Sequence, residues 1–283
     1  MNKIVKRLLI FFICLPLIGV IVLLLPHYSH LVLNLIVIIF SALGAMEFSA
    51  SLAQKQLPIP KAEAAILGSL LPLAMFLNIR FGFGELLIPA VVTAVISWLL
   101  VSRIFSRNID LFINQFAAGL AVLLYPGMFL VWLVRMSRWE EHSGVIILFF
   151  LAAVFCTDGM AWAMGMLFGK GNRGVIPVSP KKSVAGFIGA AFASIVVGMG
   201  AVLIFPEIFN PKYHVATGAV LGLLTGAAAV FGDLGESAIK RSSGLKDSGS
   251  IIPGRGGVLD SIDSIALAAP VFYLAYCLLF VQP

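Results

Sequence analysis

Charge is scarce in this chain. Of its 283 residues only 11% are Asp, Glu, Lys or Arg, while 60% are apolar and the mean hydropathy is +1.06. A soluble domain carries about a quarter charged residues, so that class is excluded. Cysteine is almost as rare. The three, Cys14, Cys156 and Cys277, lie in apolar stretches without metal-ligand spacing, which rules out a disulfide framework and a thiolate zinc site and leaves them as packing residues. Histidine numbers four, and His27, His30 and His214 stand isolated, so an imidazole metal centre is not expected. There is no internal repeat, no low-complexity linker and no Ser–His–acid set. The chain reads as one membrane domain (1–283), with N-terminal helices in 1–140 and the motif-bearing helices in 141–283.

What is abundant is long apolar runs. A membrane-spanning helix needs about 20 mostly apolar residues, and windows of that kind fall near 8–25, 30–52, 63–79, 85–105, 112–134, 144–168, 184–205, 213–234 and 262–281. The fold class is therefore all-α, a polytopic integral membrane protein of about nine transmembrane helices. The first window follows Lys3, Lys6 and Arg7 but no small-residue cleavage site succeeds it, so it is expected to be retained. The Gly- and Ala-rich runs GAAFASIVVGMGA and GAVLGLLTGAAAVFG allow close helix contact in lipid.

Charge distribution predicts orientation. With a cytoplasmic N-terminus, fifteen of the nineteen Lys and Arg residues lie in cytoplasmic loops, and only Arg80, Arg135, Arg138 and Lys212 lie outside, as the positive-inside rule requires. The C-terminus is then extracytoplasmic. The formal net charge of +6 belongs to topology and anionic headgroups, not to nucleic acid. The expected location is a bacterial-type cell membrane.

Against this background a few acids require explanation, because a carboxylate inside a spanning helix costs at least a few kcal/mol. Asp158 lies within its window. Asp233 and Glu236 close the eighth window, three apart and so on one helical face. Asp260 and Asp263 open the ninth, again three apart. Five like charges at one depth repel strongly in a low dielectric, and either Mg²⁺ or neighbouring Lys and Arg must offset them. Glu236 stands four residues before Lys240 and is read as its partner, not a metal ligand. Glu47, Arg80, Glu85, Asp110, Glu140, Glu141, His142 and Glu207 lie near window ends, where charge is ordinary, and are assigned no chemistry.

The segment Ser237–Asp263, SAIKRSSGLKDSGSIIPGRGGVLDSID, is the richest in chemistry. Its glycines at 244, 249, 254, 256 and 257 let the main chain approach a ligand closely and turn several N–H groups towards a phosphate. Lys240, Arg241, Lys246 and Arg255 add charge to such a cradle, and Asp260 and Asp263 are able to hold a hard cation. A second basic segment, GKGNRGVIPVSPKKSVAG, follows the sixth window.

These two segments resemble the signatures of the phosphatidate cytidylyltransferase (CDP-diacylglycerol synthase) family. Ser237, Lys240, Arg241, Lys246, Asp247, Pro253, Gly256, Gly257, Asp260 and Asp263 fall in register with the first. Gly169, Lys170, Ser179, Pro180, Lys181, Lys182 and Gly186 match the second, and Asp158, Trp162, Gly165 and Gly169 fit the D-x-x-A-[YW]-x-x-G-x-x-x-G pattern upstream. The family usually has His at the position of Arg255, Arg at Ser261, Thr at Ser183 and Glu at Ala185. The first five windows match in hydropathy alone.

The resemblance implies an enzyme that joins CTP to phosphatidic acid, giving CDP-diacylglycerol and pyrophosphate in phospholipid biosynthesis, and it implies a homodimer. Two anions must be brought together, which requires cations more than a protein nucleophile. We expect Mg²⁺, with room for a second cation, on Asp260 and Asp263 helped by Asp233. Lys240, Arg241 and Lys246 are expected to hold phosphates, with Asp158 as a base or cation orienter. Substrate contacts are expected from Lys170, Ser179, Ser237, Asp247, Gly256 and Gly257. Lys181 and Lys182 form a second anion clamp for the phosphatidate headgroup at the membrane lipid surface. A CTP-dependent lipid kinase and a cation-coupled transporter remain the alternatives.

Overall fold

A computed structural model of the chain describes residue 13 and residues 16–105, 109–139, 141–209, 215–252 and 256–281. Cys14, Glu140, Lys212, His214, Pro253, Gly254 and Arg255 lie outside them, as does most of the first apolar window, of which residues 16–24 are helical. Eight helices among the described residues are long and apolar enough to cross a membrane: α1 (His27–Ala53), α2 (Lys61–Phe81), α3 (Leu87–Ile104), α4 (Ile109–Arg138), α5 (Ser143–Phe168), α6 (Val184–Ile204), α7 (Val215–Ser242) and α8 (Leu259–Phe280). They fall on the eight later apolar windows. The protein is an all-α polytopic membrane protein.

Two helices depart from a plain apolar window for physical reasons. α7 continues past Asp233 to Ser242, because the polar residues Glu236, Lys240 and Arg241 are good helix formers that require no lipid contact. The first part of the basic motif is therefore helix, not loop. α4 is interrupted at Leu123–Met128, where Tyr125 leaves helical dihedrals (φ −129°, ψ 112°) and Pro126 brings no N–H to the ladder.

The chain divides into two compact units, one made of 1–140 with 239–262 and the other of 141–238 with 263–283. The glycine-rich loop, although late in sequence, belongs with the N-terminal helices. In the first unit α1 and α2 pack closely. Ser41 Oγ donates to the carbonyl of Gly68 at 2.7 Å, and Gly127 Cα sits so near the Leu67 and Gly68 carbonyls that a side chain there would press on main chain. Arg103 of α3 pairs with Glu63 of α2.

The second unit has two cores. At one, Gly198 of α6 lies against Gly218 and Gly222 of α7, with their backbones in contact, the approach that small residues permit in lipid. At the other, aromatic rings interlock. Phe209 meets Phe149 at 5.3 Å, Tyr276 at 5.8 Å and Phe280 at 5.4 Å between centroids, and Phe150 meets Phe272 at 5.2 Å. The three Phe209 pairs are edge-to-face and add about 0.5–1.5 kcal/mol each beyond burial.

Candidate active site

In the first unit, Glu47 and Asp260 hold the glycine-rich loop from two sides. Glu47 stands near the C-terminal end of α1 and is buried. Its Oε1 accepts from the Val258 N–H at 3.1 Å, and its Oε2 from the Leu259 N–H at 2.8 Å. The glutamate thus caps the start of α8, where unpaired N–H groups and the helix dipole favour an anion. Asp260 Oδ2 accepts from the N–H of Ser248 at 3.0 Å and of Gly257 at 2.7 Å, and lies 2.8 Å from Ser248 Oγ. Its Oδ1 is paired with Lys240. Ser248 Oγ is also 3.2 Å from Glu47 Oε2 and accepts from the Asp260 N–H at 3.3 Å. A hydroxyl has one proton, so it donates to one carboxylate at a time.

The glycines are where this clamp needs them. A Cβ on Gly257 would overlap Ser248 Oγ and Glu47 Oε2, and one on Gly249 would overlap the Glu47 carboxylate. Gly256 adopts φ +119° beside Asp260 Oδ2, a conformation that other residues avoid. Gly257→Ala is therefore expected to open the loop while leaving the helices formed. Hydrogen exchange at the Ser248 and Val258 amides should accelerate at least tenfold, and unchanged protection would refute the clamp.

In the second unit, α5, α7 and α8 bring four carboxylates together. Asp263 is 5% exposed and lies within electrostatic range of Asp233, Glu236 and Asp158. One of its oxygens accepts from the Ser264 N–H at 2.6 Å, and Ser264 Oγ lies 3.4 Å from Asp158 Oδ1. Asp158 and Asp233 line a cavity of about 360 Å³ whose other wall carries Arg173, Lys181 and Lys182. Lys182 Nζ is 2.5 Å from Asp233 Oδ2. Arg173 reaches back to donate to the Gly165 carbonyl at 3.0 Å.

The basic segment is held against α5 by its serine. Ser183 Oγ accepts from the Gly186 N–H at 3.1 Å, an N-cap for α6. Gly165, Gly169 and Gly186 all crowd that hydroxyl, and Gly186 lies on the Ala161 carbonyl. Those glycines let α5 and α6 approach closely enough to shape the cavity. Ala185 occupies the first turn of α6.

The expected site residues thus fall into two sets. Lys240, Asp260, Gly256 and Gly257 join the clamp of the first unit, with Arg241, Lys246 and Asp247 exposed on the same segment. Asp158, Asp233, Asp263, Lys181 and Lys182 gather in the second, with Lys170 exposed and Ser179 half-buried on its basic loop, and Ser237 half-buried on α7. Glu47 and Arg173, given no chemistry from the sequence, belong to these sets. Glu47 carried no signal beyond an acid inside the 30–52 apolar window, whereas Arg173 stood inside the basic segment. Ser261 donates to the Gly257 carbonyl at 3.2 Å, a local bond.

Among the described residues, the donor chemistry suits a hard cation in the second unit and not in the first. All four of its acids offer carboxylate oxygens, and Mg²⁺ takes one or two carboxylates together with water and substrate phosphate. Among the described residues no group of three or more His, Cys, Asp or Glu side chains is placed to hold a metal ion by itself. Asp260 fits poorly, since both of its oxygens are engaged by N–H, O–H and ammonium donors.

Comparison with known proteins adds an independent finding. The sequence pattern of the cytidylyltransferase family matches residues 5–279. The phosphatidate cytidylyltransferase of a Synechocystis species is 42% identical over 45% of this chain and 42% of its own length. That of Aquifex aeolicus is 34% identical over 58% of this chain and 59% of its own. Uncharacterized protein YnbB of Escherichia coli is 37% identical over 52% of this chain and 48% of its own. The chain spans about half the length of the curated relatives it matches.

Proposed function

The chain belongs to the cytidylyltransferase family, and on that premise we propose that it is a phosphatidate cytidylyltransferase, taking CTP and phosphatidic acid to CDP-diacylglycerol and pyrophosphate. The observation that carries this reading is the cavity of the second unit, where two carboxylates face three cations at a membrane helix terminus. A reaction between two anions needs that mixture, because cations must neutralise both partners before they can approach.

A phosphate oxygen of the lipid attacks the α-phosphorus of CTP, the new P–O bond forms, and the bond to pyrophosphate breaks with its electron pair leaving on pyrophosphate. Arg173, Lys181 and Lys182 hold phosphate oxygens in the cavity, the arginine bidentately. Lys182 exchanges its partner Asp233 for substrate. Asp158 orients a cation or receives the proton of a monoprotonated lipid phosphate. The loop fixed by Glu47 and Asp260 positions Lys240, Arg241 and Lys246 to meet phosphate. Asp233 and Asp263 are the residues that would hold Mg²⁺, which when bound would neutralise the triphosphate and the leaving group. Asp260 instead acts through Lys240 and the loop. The basic segments face the cytoplasm, where nucleotide is available, and a homodimer is the assembly the family resemblance implies.

The test uses purified protein in mixed micelles with phosphatidic acid, Mg²⁺ and CTP labelled at either the α- or the γ-phosphate. Label from the α-position entering the lipid, and stopping with EDTA, is the expected result. Label from the γ-position would assign a lipid kinase instead. No transfer from either by protein that melts cooperatively would overturn the enzymatic reading.

A further inference from the structure

The first unit contains a second cavity, of about 640 Å³, formed by the start of α1, the end of α2, the start of α3 and the end of α4. It lies at the opposite end of these helices from the glycine-rich loop. Some sixteen residues of α1 separate Leu31 from Glu47, which is about 24 Å at 1.5 Å per residue. The cavity therefore takes no part in the chemistry at the loop, and it lies at the helix ends expected on the extracytoplasmic surface.

Its lining is unusual for that surface. Arg135 and Arg138 both face it, although only four of the chain's nineteen cations are expected on that side. A third, Arg80, sits in the last turn of α2 next to the lining residue Ile79, held 5.4 Å over the Tyr28 ring. Cations on the outer side oppose the topology signal, so their concentration at one cavity has a local cause. Among the described residues Glu85 also lines the cavity, and its Oε1 is 3.9 Å from Arg138 Nη1. Both side chains are mostly exposed, at 85% and 58%, and a pair of that kind contributes little. The Arg135 guanidinium lies 5.4 Å over the Trp132 ring, which fixes its position against the wall. Asn78 also lines the cavity, and its Oδ1 is buried without a hydrogen-bond donor, a cost that a ligand donor would relieve.

We propose that this cavity binds a phosphate-bearing ligand carrying its own hydroxyl or amine donor, the chemistry of a glycerophospholipid headgroup in the leaflet opposite the loop. The two arginines take the phosphate, Trp132 and the apolar helix flanks accept the glycerol and acyl carbons, and Asn78 takes the donor. Aromatic and cationic side chains at the headgroup level are suited to this.

The experiment measures binding of dioctanoyl-phosphatidylglycerol to the full chain in an uncharged detergent by calorimetry, alongside glycerol 3-phosphate and inorganic phosphate. The expected result is saturable lipid binding that weakens at least tenfold in the Arg135→Gln, Arg138→Gln double variant and several-fold in Arg138→Gln alone, with nucleotide-dependent turnover unchanged. Lipid bound more tightly than glycerol 3-phosphate identifies the headgroup as the source. Equal, arginine-dependent binding of the free phosphates identifies a soluble anion and still supports a phosphate site. Should the double variant melt early, the exposed Arg138→Gln decides alone. Lipid affinity unchanged in Arg138→Gln, or no saturable binding of any of the three by wild-type protein, overturns the proposal.

Discussion

Asp263→Asn is expected to lower label transfer from CTP to lipid by about 10²–10³-fold, the scale of losing one electrostatic contact to a developing charge, while the melting temperature stays level or rises. The two halves of that result come from one feature. Asp263 is buried beside Asp158, Asp233 and Glu236, and like charges at that spacing in a low-dielectric surround repel one another. Removing one charge with a side chain of the same shape relieves that repulsion and costs no packing. A purely structural carboxylate would behave in the opposite way, its loss lowering stability and leaving turnover intact. Asp233→Asn provides the comparison. It should cost activity and also release Lys182 from its ion pair, so its KM for phosphatidate should change where that of Asp263→Asn does not. Exposed Glu207, changed to Gln, should leave both quantities where they are. Wild-type turnover in Asp263→Asn would remove the metal and phosphate role assigned to this cluster.

The helices were legible from composition because lipid imposes a single requirement, about 20 apolar residues per crossing with every backbone group satisfied internally. α2, α3, α5 and α6 accordingly begin and end within three residues of their windows. The end of α7 was not legible in the same way. Hydropathy marks where lipid stops, and a helix is free to continue past that point, as Glu236–Ser242 does. The basic motifs stood out in the sequence because Lys, Arg and Gly are concentrated there beside apolar windows. Their internal division did not. Asp260 and Asp263 are three residues apart on one helix and looked equivalent, yet the first has its oxygens filled by Lys240, Ser248 and Gly257 and the second faces other carboxylates. Only the partners distinguish them. Glu47 illustrates the same limit more sharply. It bonds to residues more than 200 positions away, and nothing in its own neighbourhood in sequence predicts that.

That long-range contact carries the second large expectation. Glu47→Ala should reduce turnover by about 10²-fold, the cost of misplacing reacting groups by an ångström or so, with phosphatidate and CTP still able to bind. The reasoning starts from the two N–H groups of Val258 and Leu259, which donate to the two carboxylate oxygens of Glu47 at the start of α8. Leaving each buried donor unpaired costs about 1–3 kcal/mol. The loop is therefore expected to shift until water or another acceptor reaches them, and Gly256 and Gly257 shift with it. Glu47→Gln should be nearly as harmful. Its carboxamide retains one acceptor oxygen, but whichever way it turns the amide nitrogen meets an N–H group of Val258 or Leu259, donor against donor. Hydrogen exchange separates this effect from general unfolding. The Val258 and Leu259 amides should lose protection, whereas the Ser248 and Gly257 amides, which donate to Asp260, should retain most of theirs. Asp260→Asn should give the reverse pattern. Equal loss at all four amides in Glu47→Gln would show that the loop responds as one unit and that Glu47 has no separate positioning role.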